Sequence, residues 1–340
     1  MNIRGQYSIQ YFSMRRFYKQ PWVFYHMEFG YYLRPASTFE GMVEMAQHAD
    51  MLGLQGVYLN DHVHGMRERG MEPYLESWTA LSGISTLTKK VRLGHVVLFN
   101  SLRNPAFLAK SATTLDVMSG GRFELLIGAG WNEPEYKGYD LMERGRGMPS
   151  PKERVDRFKE SLHIIRGMLN NEVFSYEGKY WKLENAINKP KPIQKNMRIS
   201  VGATKPRMLR ITAKYADGLN TGGSLSGMKK QIDDIKPELE KNGKKLEDFY
   251  VSSFASQTTL TDNEKEYEDM VKRISERSKR DTSVVKDDIL AGTSEVLVDK
   301  FRQAEDMGVK LMIVYVRPAN NIQAMKEKLS KFRDEVINQL

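Results

Sequence analysis

From residue 27 onward, apolar positions follow two alternating rhythms. Short runs rich in β-branched and aromatic residues are separated by longer segments with an apolar residue at every third or fourth position. The first rhythm predicts strands and the second helices. Glu28 to Leu33 reads as a strand, and Ser37 with Glu40 forms a capping box for a helix through Leu52. Gly56 to Leu59 is the next strand, followed by a helix from about Pro73 to Thr88 and a strand from Val91 to Phe99. Pro105 suits the first position of a helix that ends near Met118, before Ser119-Gly120-Gly121. Phe123 to Ile127 is a strand that stops on Gly128-Ala129-Gly130. Ser150, Pro151 and Glu153 open a helix with Val155, Phe158, Leu162, Ile165 and Leu169 on one face.

The stretch 173–183 predicts a hairpin outside this alternation. Strands then follow at Arg198 to Gly202, Gly218 to Thr221, Tyr250 to Thr259 and Leu311 to Val316. Helices between them end at Tyr215 and about Lys241, a third is capped by Thr293 or Ser294, and the last buries Ile322, Met325, Leu329, Phe332 and Val336. The charged segment 262–290 has no clear place in the pattern. Strands and helices alternating in this number predict an α/β fold, a (β/α)8 TIM barrel with insertion segments. Function is then expected at the C-terminal strand ends, where Asn60-Asp61-His62, Val96 to Asn100, Gly128 to Asn132, Gly202-Ala203-Thr204 and Asn220 to Gly223 fall. Gly128 and Gly130 do not make a dinucleotide fingerprint, because the third glycine position holds Glu133.

Composition narrows the chemistry. The 340 residues contain no cysteine, which excludes a thiol nucleophile and a thiolate metal site and fits a reducing cytoplasm. No run of about 18 apolar residues is present, so no spanning helix is expected. The net charge of +9 suits acidic small ligands, and without a basic run interleaved with aromatics it gives no reason to expect nucleic acid. Residues 1–26 carry Arg4, Arg15, Arg16 and Lys19, many aromatics and no helical face. They are expected to be an extension, disordered or upstream of a natural start at Met27, with 27–340 forming one barrel domain.

AQHADMLGLQGVYLNDH, ESWTALSGISTLTKKVRLG, RNPAFLAKSATTLDVMSGGRFELLIGAGW and AKYADGLN, taken in order and spacing, resemble the luciferase-like family of flavin- or deazaflavin-dependent oxidoreductases. The resemblance covers the chain from Met27 on. It implies a flavin-type ring across the C-terminal face of the barrel, bound to a protein that works as a homodimer on a small-molecule substrate. Coenzyme F420 is the expected cofactor and FMN the alternative, with hydride transfer in the first case and an oxygen-using monooxygenase in the second. A flavin-binding barrel without catalysis is the remaining reading.

The resemblance also distributes roles. Asp61 and His62 lie against the ring, and an imidazole can exchange a proton near neutral pH beside a hydride carrier, so His62 is the candidate acid or base. Val96-Val97 takes the place of a strand bulge with a non-prolyl cis peptide, and Gly128 and Gly130 leave room for the ring. Trp131 stands where the family's sugar-phosphate dehydrogenases have a glutamate, so a proton-donating carboxylate would come from Glu133 or Glu135, and a sugar-phosphate substrate is not implied. Trp131 and Asn132 complete that side of the cofactor site. Gly202, Ala203 and Thr204 precede a helix start that can hold a phosphate, with Arg154 as a second contact. His62-Val63-His64 mimics a metal-binding pair, but no histidine follows His163 to complete one. Loops 63–72, 138–150 and 262–290 would set specificity.

Overall fold

The computed structural model describes residues 27–340 apart from 36, 67–69 and 317–320, and the expectation for residues 1–26 lies outside the described residues. Eight parallel strands close on themselves. In barrel order they are β1 (Glu28–Tyr32), β2 (Gly56–Leu59), β3 (Arg92–His95, extended by β4, Leu98–Phe99), β5 (Phe123–Gly128), β8 (Ile199–Gly202), β9 (Gly218–Gly222), β10 (Tyr250–Leu260) and β12 (Leu311–Val316). β12 pairs back onto β1, with Glu28 opposite Leu311. Each strand is buried on both faces, which is why it reads as an apolar run rather than as alternation.

Two cores result. The barrel interior holds Tyr32, Tyr58, Val96, Leu126, Leu311 and Ile313. The other strand faces, including Val57, Leu59, Leu125 and Ile127, pack with the surrounding helices. Those helices are α1 (Phe39–Leu52), α2 (Ser77–Leu87), α3 (Pro105–Met118), α5 (Pro151–Asn170), α6 (Pro206–Tyr215), α7 (Leu225–Glu240), α10 (Ser294–Asp306) and α11 (Ile322–Glu335). None of the described helices is long and apolar enough to cross a membrane.

Several boundaries differ from the sequence reading. Thr38 caps α1, its hydroxyl accepting the Gly41 amide at 3.1 Å, so the Ser37–Glu40 box does not form. α2 starts at Ser77 because the Glu76 carboxylate accepts the Trp78 and Thr79 amides and ends the extended segment before it. The third barrel strand is split between β3 and β4. The hairpin runs on to Ile187, as β6 (Val173–Glu177) and β7 (Lys182–Ile187). The charged segment becomes α8 (Glu264–Ser278), α9 (Thr282–Asp288) and the short β11 (Leu290–Gly292), which extends the sheet beside β10. A six-residue helix unread in the sequence, α4 (Glu133–Gly138), follows the Gly128–Gly130 turn.

Candidate active site

A cavity of about 820 Å³ opens at the C-terminal ends of the strands, within the size range of small-molecule sites. Its walls are unequal. Tyr32, Val96, Leu98, Phe99, Trp131 and Phe254 form apolar surface, whereas Lys152, Arg154, Lys205 and Arg207 supply positive charge. The cations belong together because Arg207 pairs with Asp156 and its Nη1 lies 3.4 Å from the Lys152 carbonyl, joining the starts of α5 and α6.

Asp61 lines this cavity, yet its carboxylate is already used. Arg103 grips it through two nitrogens at 2.6 and 3.0 Å, Ser77 donates at 3.0 Å and the Phe99 amide at 2.8 Å. Burial opposes ionisation, but Arg103 outweighs it and holds the carboxyl below its usual range. Asp61 therefore ties the end of β2 to β4 and offers no free charge to a ring.

Of the two candidate carboxylates, Glu135 reaches the site, against His62, and Glu133 does not. Glu133 is half exposed and pairs with Lys137 at 2.7 Å, away from the cavity. Glu135 has no exposed side-chain surface, and its Oε2 lies 2.9 Å from His62 Nδ1 while its Oε1 accepts the Val63 amide at 2.8 Å. Residues two apart on a helix point about 200° apart, so α4 can turn only one of these carboxylates inward. Burial raises the Glu135 carboxyl, but its bonds to His62 and Val63 prevail and hold it low. His62 Nε2 has no hydrogen bond among the described residues. His64 turns elsewhere, with Nδ1 at 2.9 Å from the Gly65 carbonyl.

Gly128 and Gly130 both line the cavity. A Cβ on Gly128 would stand 2.8 Å from Val97 Cγ2, and one on Gly130 would stand 1.9 Å from Phe99 Cε2. At each position a strand-three side chain takes the space a Cβ would need, and Gly130 also has φ +81, which glycine adopts without penalty. Val96 and Val97 line the cavity, and the peptide between them is cis. Trp131 stands at the mouth, 63% exposed, with its ring edge-on to His62 at 5.8 Å. Asn132 contributes no surface there; it is buried, with its amide 3.8 Å from Met66 Sδ.

Gly202, Ala203 and Thr204 line the far end, and Lys205 begins α6 with no side-chain cap, which leaves backbone N–H groups for an anion. Arg154 shares that surface while one of its nitrogens donates to the Pro149 carbonyl at 3.1 Å. The sequence reading assigned no role to Arg103, Lys205, Arg207, Tyr32 or Phe254, and it placed Asn60 at a functional strand end without giving its amide a task. Only Asn60 had a legible signal, since it continues the inward row of Gly56 and Tyr58 on β2.

These features can be set beside known proteins. Residues 23–296 match the family described as luciferase-like monooxygenase. An F420-dependent glucose-6-phosphate dehydrogenase of Amycolatopsis mediterranei is 29% identical over 61% of this chain and 60% of its own length, so the match leaves over a third of that relative uncovered. The fold is shared with an F420-dependent secondary alcohol dehydrogenase bound to an F420-acetone adduct, at TM-score 0.75 and 18% identity over 92% of this chain and 98% of the other. It is also shared with the oxygenating constituent of 3,6-diketocamphane monooxygenase from Pseudomonas putida, a type II Baeyer-Villiger monooxygenase in complex with FMN, at TM-score 0.71 and 18% identity over 93% and 99%. With the family match covering most of its length and the barrel closed as in these neighbours, the chain belongs to the luciferase-like monooxygenase family of enzymes.

Proposed function

We propose that the protein is an oxidoreductase that moves hydride between coenzyme F420 and a small carbonyl or alcohol substrate, with His62 as the proton donor and acceptor. The observation that carries the reading is the His62–Glu135 pair at the cavity wall. A buried carboxylate fixes one ring nitrogen and leaves Nε2 free, the arrangement a general acid or base needs. When bound, the deazaflavin would supply a two-electron carrier of hydride.

The residues present fit such a group. The apolar walls suit a flat ring, and the α6 start with Gly202 to Thr204 suits a phosphate. Lys152, Arg154, Lys205 and Arg207 suit a further acidic tail, which coenzyme F420 has and FMN lacks. Among the relatives, the F420-dependent dehydrogenase name and the F420-acetone adduct support the same choice. Trp131, in place of a carboxylate beside the second glycine, argues against a sugar phosphate as substrate.

The test is to titrate the purified protein with coenzyme F420 and with FMN and follow the visible absorption of each. Tighter binding of the deazaflavin supports the reading. Preference for FMN rejects it, and binding without any substrate-dependent bleaching leaves a barrel that carries the cofactor only.

A further inference from the structure

Asn60 stands at the mouth of the barrel for a reason visible in β2. Tyr58 belongs to the barrel interior while Val57 and Leu59 belong to the outer core, so Asn60 points inward, and it lines the cavity. Its Oδ1 accepts the Tyr32 hydroxyl at 2.7 Å and the Tyr74 hydroxyl at 2.6 Å. Two donors occupy both lone pairs of that oxygen and fix the amide plane. Asn60 Nδ2, the other half of the amide, makes no hydrogen bond among the described residues. Two residues on, His62 Nε2 is equally free.

We infer that Asn60 Nδ2 is the second donor that holds the substrate's oxygen beside His62, and that the substrate is a neutral ketone or its secondary alcohol. This rests on the hydride-transfer reading above. The neutrality follows from the surroundings. Tyr32 and Phe254, 5.0 Å apart as rings, present aromatic surface, the Arg103 guanidinium is consumed by Asp61 and Glu76, and the remaining cavity cations gather at the α5 and α6 starts. An anionic substrate group would find no charge to meet it on this side. Burial raises the Tyr32 and Tyr74 hydroxyls well above their ordinary range, so both remain protonated donors and keep the amide oriented.

The experiment compares cyclohexanone with methylenecyclohexane, which has the same shape without the oxygen. Dissociation constants are measured on the holoenzyme by tryptophan fluorescence quenching, and coenzyme reduction is followed separately with cyclohexanol. The wild type is expected to favour the ketone by roughly 5- to 150-fold, the value of the two neutral hydrogen bonds from His62 and Asn60. Asn60→Asp keeps the acceptor for both tyrosines but removes this donor, so the preference should fall about three- to tenfold, to what His62 alone supplies, while methylenecyclohexane binds within about twofold of wild type. Asn60→Ala should lower the preference by a similar factor. A wild type without preference, or a preference intact in both variants, overturns the assignment. Cyclohexanol turnover with an intact preference in the variants leaves hydride transfer standing and the Asn60 role refuted. A lowered preference in the variants without turnover of any alcohol supports the donor pair and refutes hydride transfer.

Discussion

Glu135 holds His62 by one nitrogen only: Oε2 is 2.9 Å from Nδ1, and the same carboxylate takes the Val63 amide through Oε1 at 2.8 Å. The ring can neither rotate nor lend Nδ1 to a substrate, so any proton exchanged with the cavity passes through Nε2. Glu135→Gln replaces a charged acceptor with an amide of the same shape. Hydrogen bonds to charged groups are worth about 1.5 to 3 kcal/mol, so kcat should fall roughly 10- to 100-fold, with the cofactor Kd within about twofold of wild type. Steady-state rates and a cofactor titration on the same preparation test this. An unchanged kcat would reduce Glu135 to a loop anchor.

His62→Ala should cost more, about 10² to 10⁴ in kcat, the usual contribution of a general acid or base. Far-ultraviolet circular dichroism should be unaffected, because His62 lines the cavity rather than the core, and the cofactor should still bind through the remaining walls and the α6 start. The comparison is with Glu133→Gln, whose exposed carboxylate pairs with Lys137 and should leave turnover at the wild-type level.

Removal of the Asp61 charge should unfold the site. Asp61→Asn leaves Arg103 with Glu76 as its remaining charged partner, so the loss should be a part of the roughly 3 to 5 kcal/mol that breaking a buried pair outright costs. Urea unfolding should show that loss, with cofactor affinity falling as β4 and the Phe99 amide lose their tether. Normal stability with weakened cofactor binding would instead mark Asp61 as a direct ligand.

Stability should rise with pH between about 4.5 and 6.5 through His95. Burial lowers this imidazole from its ordinary 6.5 to about 4, where it stacks on Trp78 at 5.3 Å. Between those values the unfolded chain binds a proton that the folded chain refuses, so acidification favours unfolding. The shift corresponds to about 3 kcal/mol lost by pH 4. His95→Phe should remove most of the slope of unfolding free energy in this window, whatever its effect at pH 7, leaving the part due to His48, whose imidazole burial also lowers. A variant as acid-sensitive as wild type there would contradict the assignment. The lowered carboxyls of Asp61 and Glu135 titrate below the window and do not mimic it.

The barrel was legible because strands buried on both faces and helices buried on one leave distinct periods, and eight repeats of that alternation allow few closures. The site was legible where it depends on strand ends, as with His62, Val96 and Gly202, which line one cavity. It was not legible where the phase of a short turn decides. EPEYKG has no apolar rhythm to show that Glu135 faces inward and Glu133 outward. Nor could it reveal which side chain enters the space a glycine leaves, since Phe99 reaches Gly130 from the neighbouring strand β4, or that Arg103 crosses 42 positions to neutralise Asp61.

The central claim is that the bound coenzyme carries hydride and does not activate oxygen. The most direct measurement is oxygen uptake by the reduced holoenzyme in air-saturated buffer, with and without a ketone such as cyclohexanone. The account predicts that the reduced coenzyme persists in air, with negligible oxygen uptake, and is reoxidised only when the ketone is added. Rapid oxygen consumption by the reduced holoenzyme, with or without the ketone, would contradict it and identify the protein as a monooxygenase.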